Sequence, residues 1–161
     1  MEKKTAARRC VIADDIRSSR EMLSRWMKEI GFEVLTGADG GEAWEHLQRT
    51  TSDLLITDLE MPDMSGLELI RRLRREGDAG QRQLPVMIIT SLSDQKMSSI
   101  ARDFAAATVV FKPIAKATFL DIAQKLVRHE KVKDVYESNR IGGGGVAGIS
   151  PSLRALIDQN R

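Results

Sequence analysis

Residues 54–66, in the middle of the chain, read LLITDLEMPDMSG. Four strand-forming residues lead directly into an acidic residue, Asp58, and a loop that contains a proline then leads to Ser65 and Gly66. The apolar residues beyond this loop recur at helical spacing, as Leu69, Ile70 and Leu73. The stretch therefore indicates a buried strand that is followed by a helix.

The same unit, a short apolar run followed by a helical period, occurs five times in the chain. The apolar runs are Cys10–Ala13, Glu33–Leu35, Leu54–Thr57, Val86–Thr90 and Thr108–Phe111. Several of them are apolar throughout and rich in Val and Ile, which is typical of strands covered on both faces. Five such repeats predict an α/β fold, in which a doubly wound parallel sheet has right-handed crossovers and helices on both faces.

The predicted helices carry their own start and stop signals. Asp39 and Ser65 are expected to cap the second and third helices, and Gly31 is expected to end the first. The fourth helix is expected to begin at Ser93 or Asp94. The buried side of the first helix is predicted to consist of Ile16, Leu23, Trp26, Met27 and Ile30.

The composition excludes several classes of protein. The 161 residues are 42% hydrophobic and 30% charged, which is typical of a globular chain and not of a disordered or membrane one. A single cysteine, Cys10, excludes an intramolecular disulfide and a cysteine-only metal cage. The formal net charge of +2 favours no nucleic-acid partner, and the arginines of residues 71–75 are expected to form a solvated helix face. Without a membrane-length apolar run or a secretory signal pattern, a cytoplasmic location is expected.

Polar residues follow four of the five predicted strands. The first strand leads into Asp14 and Asp15, the third into Asp58, the fourth ends at Thr90 and Ser91, and the fifth leads into Lys112 and Pro113. In an open parallel sheet, functional groups gather at the carboxyl ends of the strands, beside the point where the strand order reverses. We therefore expect three carboxylates, a hydroxyl and an amine to meet at one edge of the sheet.

These residue types together suit metal-assisted phosphoryl chemistry. Clustered carboxylates repel one another unless a cation compensates them, and oxygen ligands without His or Cys favour Mg²⁺. A lysine in the same cleft can bind a phosphoryl oxygen, and an aspartate beside it can accept a phosphoryl group covalently. Each residue taken alone has a simpler interpretation as a turn, cap or solvated residue, so the prediction depends on all of them lying together.

In this combination and order, the residues resemble the receiver domain of two-component response regulators. The resemblance covers residues 9–130 and rests on the acidic pair 14–15, on Asp58 with the loop 61–66, and on the residues that follow the fourth and fifth strands. It implies a flavodoxin-like, five-stranded parallel sheet in the order 2-1-3-4-5, as in chemotaxis regulators.

The resemblance also implies a role for each acidic residue. Asp58 resembles the phosphoacceptor that attacks a phosphohistidine of a sensor histidine kinase or a phosphotransfer protein. Asp15 and Asp58 would bind Mg²⁺ through their side chains, Glu60 through its backbone carbonyl, and Asp14 through a water molecule. The domain would then be a phosphoacceptor that signals to an unknown downstream protein by contact, and not an enzyme beyond at most a slow autophosphatase activity.

The same resemblance implies that residues at the ends of the fourth and fifth strands bind the phosphoryl group. Thr90 would bind it through its hydroxyl, Ser91 through its backbone N–H, and Lys112 through its ammonium. Pro113 resembles the family's cis-proline, which would orient this lysine.

One position departs from the family pattern. Three residues before the lysine, where the family usually has an aromatic residue, this chain has Val109. Phe111 is aromatic, but strand alternation places it on the other face from Val110 and Lys112. We therefore predict that the conformational response to phosphorylation is smaller, or uses other groups such as Phe104 or Phe119.

Residues 131–161 are predicted to form an appendage of three parts. Residues 127–140 would extend the fifth helix, residues 142–145 form a glycine linker, and Ser150-Pro151 would begin a short amphipathic helix. The appendage would serve a stand-alone regulator or phosphorelay element, with homodimerisation through residues 127–161 as one role. A disordered remnant and a linker to a larger effector domain are alternatives.

Two rival functions use the same acidic residues. An aspartyl-phosphate phosphatase would use Asp58 as its nucleophile and Glu60 as its general acid and base, but the chain has no cap domain to enclose a small substrate. A degenerate receiver would serve only as a binding scaffold, and the intact acidic cluster argues against it.

Overall fold

The computed structural model describes residues 7–91, 107–132 and 135–136. The strands are β1 (Arg9–Ala13), β2 (Glu33–Gly37), β3 (Leu54–Thr57), β4 (Val86–Thr90), β5 (Thr108–Phe111) and β6 (Val135–Tyr136). The helices are α1 (Arg17–Glu29), α2 (Gly40–Arg49), α3 (Gly66–Glu76), α4 (Ala79–Arg82) and α5 (Lys116–Val127). The longest described helix, α1, has 13 residues, fewer than the about 20 that a membrane-spanning helix needs, and no described helix qualifies as a candidate span.

The strands form one parallel sheet in the order β2-β1-β3-β4-β5-β6. The predicted order of the first five strands is confirmed. Because β1 lies between β2 and β3, the strand order reverses beside it, so the loops that follow β1 and β3 lie next to each other at the carboxyl edge.

Side chains of the sheet alternate between two buried clusters, one on each face. Val11, Leu55, Ile88 and Val109 pack on one face with residues of α2 and α3. Their neighbours Ile12, Ile56, Ile89 and Val110 pack on the other face with residues of α1 and α5. The strands β1, β3, β4 and β5 are therefore buried on both faces, as their apolar sequences predict, whereas β2 is partly exposed at the edge of the sheet.

The predicted caps are confirmed at three helix ends. The Asp39 side chain accepts a hydrogen bond from the Glu42 N–H at 2.8 Å, and Ser65 Oγ accepts one from the Glu68 N–H at 3.1 Å. Gly31, just after α1, has a φ of +91°, in the left-handed region that favours glycine. The predicted helix start at Ser93 or Asp94 lies outside the described residues.

Replacing Asp39 with alanine is expected to destabilise the fold by about 1 kcal/mol, because the Glu42 N–H then loses its capping acceptor. Urea unfolding at neutral pH measures the effect. Glu45→Ala is the matched control: Glu45 is an exposed residue of the same helix, and its replacement should change stability by less than about 0.5 kcal/mol. Equal stabilities of the two variants would contradict the capping role.

The start of the first helix was predicted incorrectly. Ile16 does not belong to the buried side of α1 but is its N-cap residue, and its side chain is 52% exposed. The helix has no side-chain cap at this end. Its first residues lie beside the acidic loop, so periodicity alone extended the buried stripe one turn too far.

The predicted extension of the fifth helix over residues 127–140 is also wrong. The helix ends at Val127, and His129 has a φ of +56°. The His129 N–H donates to the Leu126 carbonyl, and the Glu130 N–H donates to the Lys125 carbonyl, which is the hydrogen-bond pattern of a Schellman motif. The chain then forms β6, which pairs in parallel with Val109 and Val110 of β5. The predicted linker and final helix lie outside the described residues.

Two of the four arginines of α3 are engaged within the domain. Arg72 lies over the Trp44 ring, 5.1 Å from its centroid, and pairs with Glu76. The Arg74 guanidinium donates to the carbonyls of Gln81 and Arg82. Arg72 and Arg75 are exposed, as a solvated helix face predicts, whereas Arg74 is half-buried and bound to backbone carbonyls.

Candidate functional site

Asp14 lies in the loop between β1 and α1 and is held on several sides. Its side chain is buried. Its N–H donates to the Gly37 carbonyl of β2 at 3.1 Å, and its Oδ1 accepts from the Ile16 N–H at 2.9 Å. Asp15, the next residue, is exposed. The loop therefore places one carboxylate under the edge of the sheet and the other at its surface.

Asp58 follows β3 and is also buried, with 8% of its surface exposed. Its N–H donates to the Ala13 carbonyl at 2.9 Å, which continues the pairing of β1 with β3. Its Oδ1 accepts from the N–H groups of Leu59 at 2.6 Å and Glu60 at 3.3 Å. One carboxylate oxygen is thus fixed by the backbone, and Oδ2 is directed elsewhere.

Gly66, the first residue of α3, packs directly against the Asp58 backbone. A Cβ atom at this position would lie 1.8 Å from the Asp58 carbonyl oxygen. The Gly66 N–H donates to the Leu59 carbonyl at 2.9 Å, and this bond ties the helix to the loop. Only glycine allows the helix to start this close to Asp58.

Lys112 joins the two buried carboxylates. Its Nζ lies 3.1 Å from Asp58 Oδ2 and 3.2 Å from Asp14 Oδ2. Its backbone N–H donates to the Thr90 carbonyl at 2.8 Å, so the end of β4 supports the lysine. The Lys112-Pro113 peptide bond is cis, as the sequence resemblance implies. Residues from the ends of four strands, β1, β3, β4 and β5, therefore share one set of contacts.

Burial and charge shift the pKa values of this group. Burial raises the pKa of the Asp58 carboxyl above its ordinary value of 3.8; the Lys112 ammonium opposes this rise, and the Asp14 carboxylate adds to it. Burial by itself lowers the pKa of Lys112, but the two carboxylates outweigh it and raise that pKa above its ordinary value of 10.5. The lysine therefore stays charged, and the carboxylates remain only partly compensated.

Asp14, Asp15 and Asp58 meet the requirements of a cation site. Each offers one carboxylate oxygen, and these oxygens lie within 4.8 Å of one another. Three carboxylates exceed the charge of one lysine, so a further cation would relieve their repulsion. The donor set consists of hard oxygen atoms, which fits Mg²⁺.

The other predicted site residues lie around this group. Thr90 is the last residue of β4 and is buried, Ser91 follows it and is exposed, and Glu60 lies in the loop after Asp58. All three are at the carboxyl edge of the sheet. Their roles toward a metal or a phosphoryl group stay predictions.

Comparison with known proteins identifies the family to which the chain belongs. A family model described as the response regulator receiver domain matches residues 10–124. The chain belongs to the response regulator receiver family. Receiver domains are generally non-enzymatic signalling domains of two-component systems; they bind Mg²⁺ in an acidic pocket and interact with histidine kinases or phosphotransfer proteins.

Two curated response regulators match most of this chain and are longer than the part that matches. The response regulator MprA of Mycobacterium leprae is 34% identical over 130 residues, and that of Mycobacterium tuberculosis H37Rv is 32% identical over 130 residues. Each match covers 81% of this chain and 55% of the relative. The chain thus spans about half the length of these regulators.

Solved receiver structures share the fold. The chemotaxis protein CheY4 of Vibrio cholerae is 28% identical, with a TM-score of 0.69, and the match covers 75% of this chain and 99% of CheY4. The signal receiver domain of a histidine kinase from Syntrophus aciditrophicus is 26% identical, with a TM-score of 0.68, and the match covers 86% of this chain and all of that domain, at 100%.

Two aromatic residues of the described part of the receiver, Phe111 and Phe119, can be compared with the aromatic residue that the family usually has at the position of Val109. Val109 and Phe111 are both buried in the cluster that contains α3 residues. Phe119 lies in the cluster on the opposite face, and its ring centroid is 5.5 Å from that of Trp26. The structure therefore does not support Phe119 as a substitute, and Phe104 lies outside the described residues. The smaller conformational response stays a prediction.

Sequence reasoning missed one residue that contacts the acidic loop of the receiver. Arg20 of α1 donates from Nη1 to the Asp14 carbonyl oxygen at 2.8 Å. Because its partner is a backbone oxygen, which every residue carries, no complementary side chain in the sequence points to this contact. The only available signal was a basic residue one turn into the first predicted helix.

Proposed function

We propose that this receiver accepts a phosphoryl group on Asp58 from a sensor histidine kinase or a phosphotransfer protein, in a reaction that depends on Mg²⁺. The proposal rests chiefly on Lys112, whose Nζ contacts the buried carboxylates of both Asp14 and Asp58. The backbone anchors Asp58 Oδ1, so Oδ2, which contacts Lys112, is the oxygen that would attack phosphorus as the lysine moves toward the phosphoryl group.

In the proposed transfer, a carboxylate oxygen of Asp58 forms a bond to phosphorus. The bond between phosphorus and the donor's imidazole nitrogen breaks, and that nitrogen keeps the electron pair. Because the transfer needs mainly alignment and charge stabilisation, the hydrogen bonds from Leu59 and Glu60 to Asp58 Oδ1 support it by fixing the nucleophile.

The residues that would hold Mg²⁺ are Asp15 and Asp58 through their side chains, Glu60 through its carbonyl and Asp14 through water. When bound, the ion would supply positive charge to the developing phosphoryl oxygens. Asp14 also accepts hydrogen bonds from Ile16 and Lys112, which suits a less direct role.

Three further groups are proposed to bind the transferred phosphoryl. Lys112 would move from a carboxylate oxygen to a phosphoryl oxygen, the Thr90 hydroxyl would donate to another, and the Ser91 N–H would assist. A phosphoryl group adds nearly two negative charges, so a shift of the cation and donors toward it is favourable. The movement would be transmitted to a downstream protein by contact.

Incubating the protein with acetyl phosphate and Mg²⁺, followed by intact mass measurement, tests the proposal. We expect a gain of one phosphoryl group that is reversed by hydroxylamine, as for an acyl phosphate, and prevented by EDTA. No gain, or a gain that persists with EDTA, would contradict it. Repeated turnover of a small phosphate ester such as p-nitrophenyl phosphate would instead favour the phosphatase.

The greater length of the MprA relatives supports the alternative in which this receiver serves a larger, effector-bearing regulator. We propose that the phosphorylated receiver then acts on an effector domain of the same protein. Homodimerisation through residues 127–161 and the cytoplasmic location stay predictions.

A further inference from the structure

Arg20 connects helix α1 to the acidic loop. Its Nη1 donates to the Asp14 carbonyl oxygen at 2.8 Å, and its side chain is half-buried. Its own backbone N–H donates to the Ile16 carbonyl at 2.9 Å, which anchors Arg20 in the first turn of the helix. A cation at the start of a helix is unfavourable toward the helix dipole, so this placement calls for a compensating contact.

The hydrogen bond that Arg20 donates holds the peptide group that leads into Asp15. The Asp14 carbonyl belongs to the peptide bond between Asp14 and Asp15, and a peptide bond is planar. Holding its oxygen therefore fixes the direction in which the backbone of Asp15 leaves the loop. Within the part of the chain that the structure describes, no hydrogen bond or ion pair holds the Asp15 side chain itself.

The other contacts that hold the loop bind the N–H and the carboxylate of Asp14, whereas Arg20 binds the Asp14 carbonyl oxygen, next to Asp15. The Asp14 N–H is bound by Gly37, and its carboxylate by Ile16 and Lys112. Helix α1 has no side-chain cap that could steady the loop from the other side. Arg20 is thus the side chain that ties the Asp14–Asp15 peptide to the helix.

We propose that Arg20 is a positioning residue of the cation site, which holds the Asp15 carboxylate within reach of Asp14 and Asp58. This inference rests on the proposed function. Lys112 neutralises carboxylates, whereas Arg20 binds a backbone oxygen and leaves the carboxylates their charge for a metal ion. The long, planar guanidinium spans this distance, and lysine is not an equivalent replacement.

Arg20→Met and Arg20→Lys, with Arg25→Met as the matched control, test the proposal. Arg25 lies on the same helix and is exposed, so its replacement removes the same charge without touching the loop. Calorimetric titration with Mg²⁺ should give a dissociation constant about tenfold higher for Arg20→Met, with a smaller rise for Arg20→Lys and a change below about twofold for Arg25→Met. The rate of phosphorylation by acetyl phosphate should return toward that of the original protein at saturating Mg²⁺.

Hydrogen exchange in the metal-free protein provides a second readout. The amides of Asp15 and Ile16 should exchange faster in Arg20→Met than in Arg25→Met, while the amides of β3 exchange equally. A fall in thermal stability without a change in Mg²⁺ affinity would overturn the proposal, and so would a rate that stays low at saturating Mg²⁺. If Arg20→Met does not fold, Arg20→Lys gives the same comparison.

Failure of the proposed function is distinguishable from failure of this inference. If the unaltered protein binds no Mg²⁺ and gains no phosphoryl group, the proposed function is wrong, and hydrogen exchange still decides whether Arg20 holds the loop. If the unaltered protein does both and the Arg20 variants match Arg25→Met, only the role of Arg20 is wrong.

Discussion

Replacing Asp58 with asparagine is expected to abolish phosphoryl uptake. The amide lacks the carboxylate oxygen that would attack phosphorus, so the gain in mass with acetyl phosphate and Mg²⁺ should fall below detection. The loop should keep its shape, because the asparagine oxygen can still accept from the N–H groups of Leu59 and Glu60.

Asp63→Asn is the matched control for this experiment. Asp63 is exposed and lies in the same loop, and its φ of 65° is one that asparagine tolerates. The control should be phosphorylated like the original protein. Uptake that persists in Asp58→Asn would place the phosphoryl group on another residue.

Asp58→Asn is also expected to stabilise the fold at neutral pH. The pKa of Asp58 is raised in the folded state, chiefly by burial, so the fold favours the protonated carboxyl. Its contribution to stability is therefore present at pH values below 3.8 and is lost as pH rises through the raised pKa. Asparagine avoids this loss, and Lys112 keeps Asp14 as its partner.

Urea unfolding at several pH values measures this effect. The stability advantage of Asp58→Asn should be largest near neutral pH and should shrink as the pH falls toward 3.8, the ordinary pKa of the carboxyl. A variant less stable than the original at neutral pH would show that the contacts of the Asp58 carboxylate outweigh its burial.

Replacing Gly66 with alanine is expected to destabilise the fold by about 3 kcal/mol and to impair phosphoryl uptake. The new Cβ would lie 1.8 Å from the Asp58 carbonyl oxygen and 2.9 Å from its carbon, so α3 and the loop must separate. That movement strains the hydrogen bond from Gly66 to Leu59 and displaces the Asp58 carboxylate.

Gly80→Ala is the matched control for Gly66→Ala. The nearest atom to an added Cβ at Gly80 is Asp78 Oδ1, at an ordinary contact distance of 3.5 Å. Alanine also loses less conformational freedom than glycine in a helix, so this variant should be stabilised by about 0.5 kcal/mol. Urea unfolding compares the two, and equal stabilities would contradict the close approach at Gly66.

Much of the fold follows from local features of the sequence. The strands β1, β3, β4 and β5 are recognisable because both faces of the sheet are covered there, so their residues are mostly apolar without alternation. The caps at Asp39 and Ser65 are local hydrogen bonds, and the sequence specifies them within a few residues. The meeting of the acidic residues follows from parallel topology, which brings successive carboxyl ends to one edge.

Periodicity alone misplaced two helix ends. It assigned Ile16 to the buried side of the first helix, because hydrophobic spacing alone does not show where the acidic loop ends and the helix begins. It also extended the fifth helix past Val127, because the left-handed conformation of His129 is not a feature of hydrophobic spacing. The pairing of β6 with β5 depends on an open sheet edge that exists only in the folded protein.

The amino-acid pattern established the apolar strands, the caps at Asp39 and Ser65 and the acidic and basic residues at the strand ends, while the order of the first five strands came from the family resemblance. The contacts of Lys112 with Asp14 and Asp58, which lie 98 and 54 residues before it, could be read only from the folded chain. The tertiary structure also decided that Arg20 reaches a backbone oxygen and that α3 begins against the Asp58 carbonyl. The physical reason is that these contacts join backbone atoms and distant side chains, whose distances are set by the packing of the whole sheet and not by neighbours in the sequence.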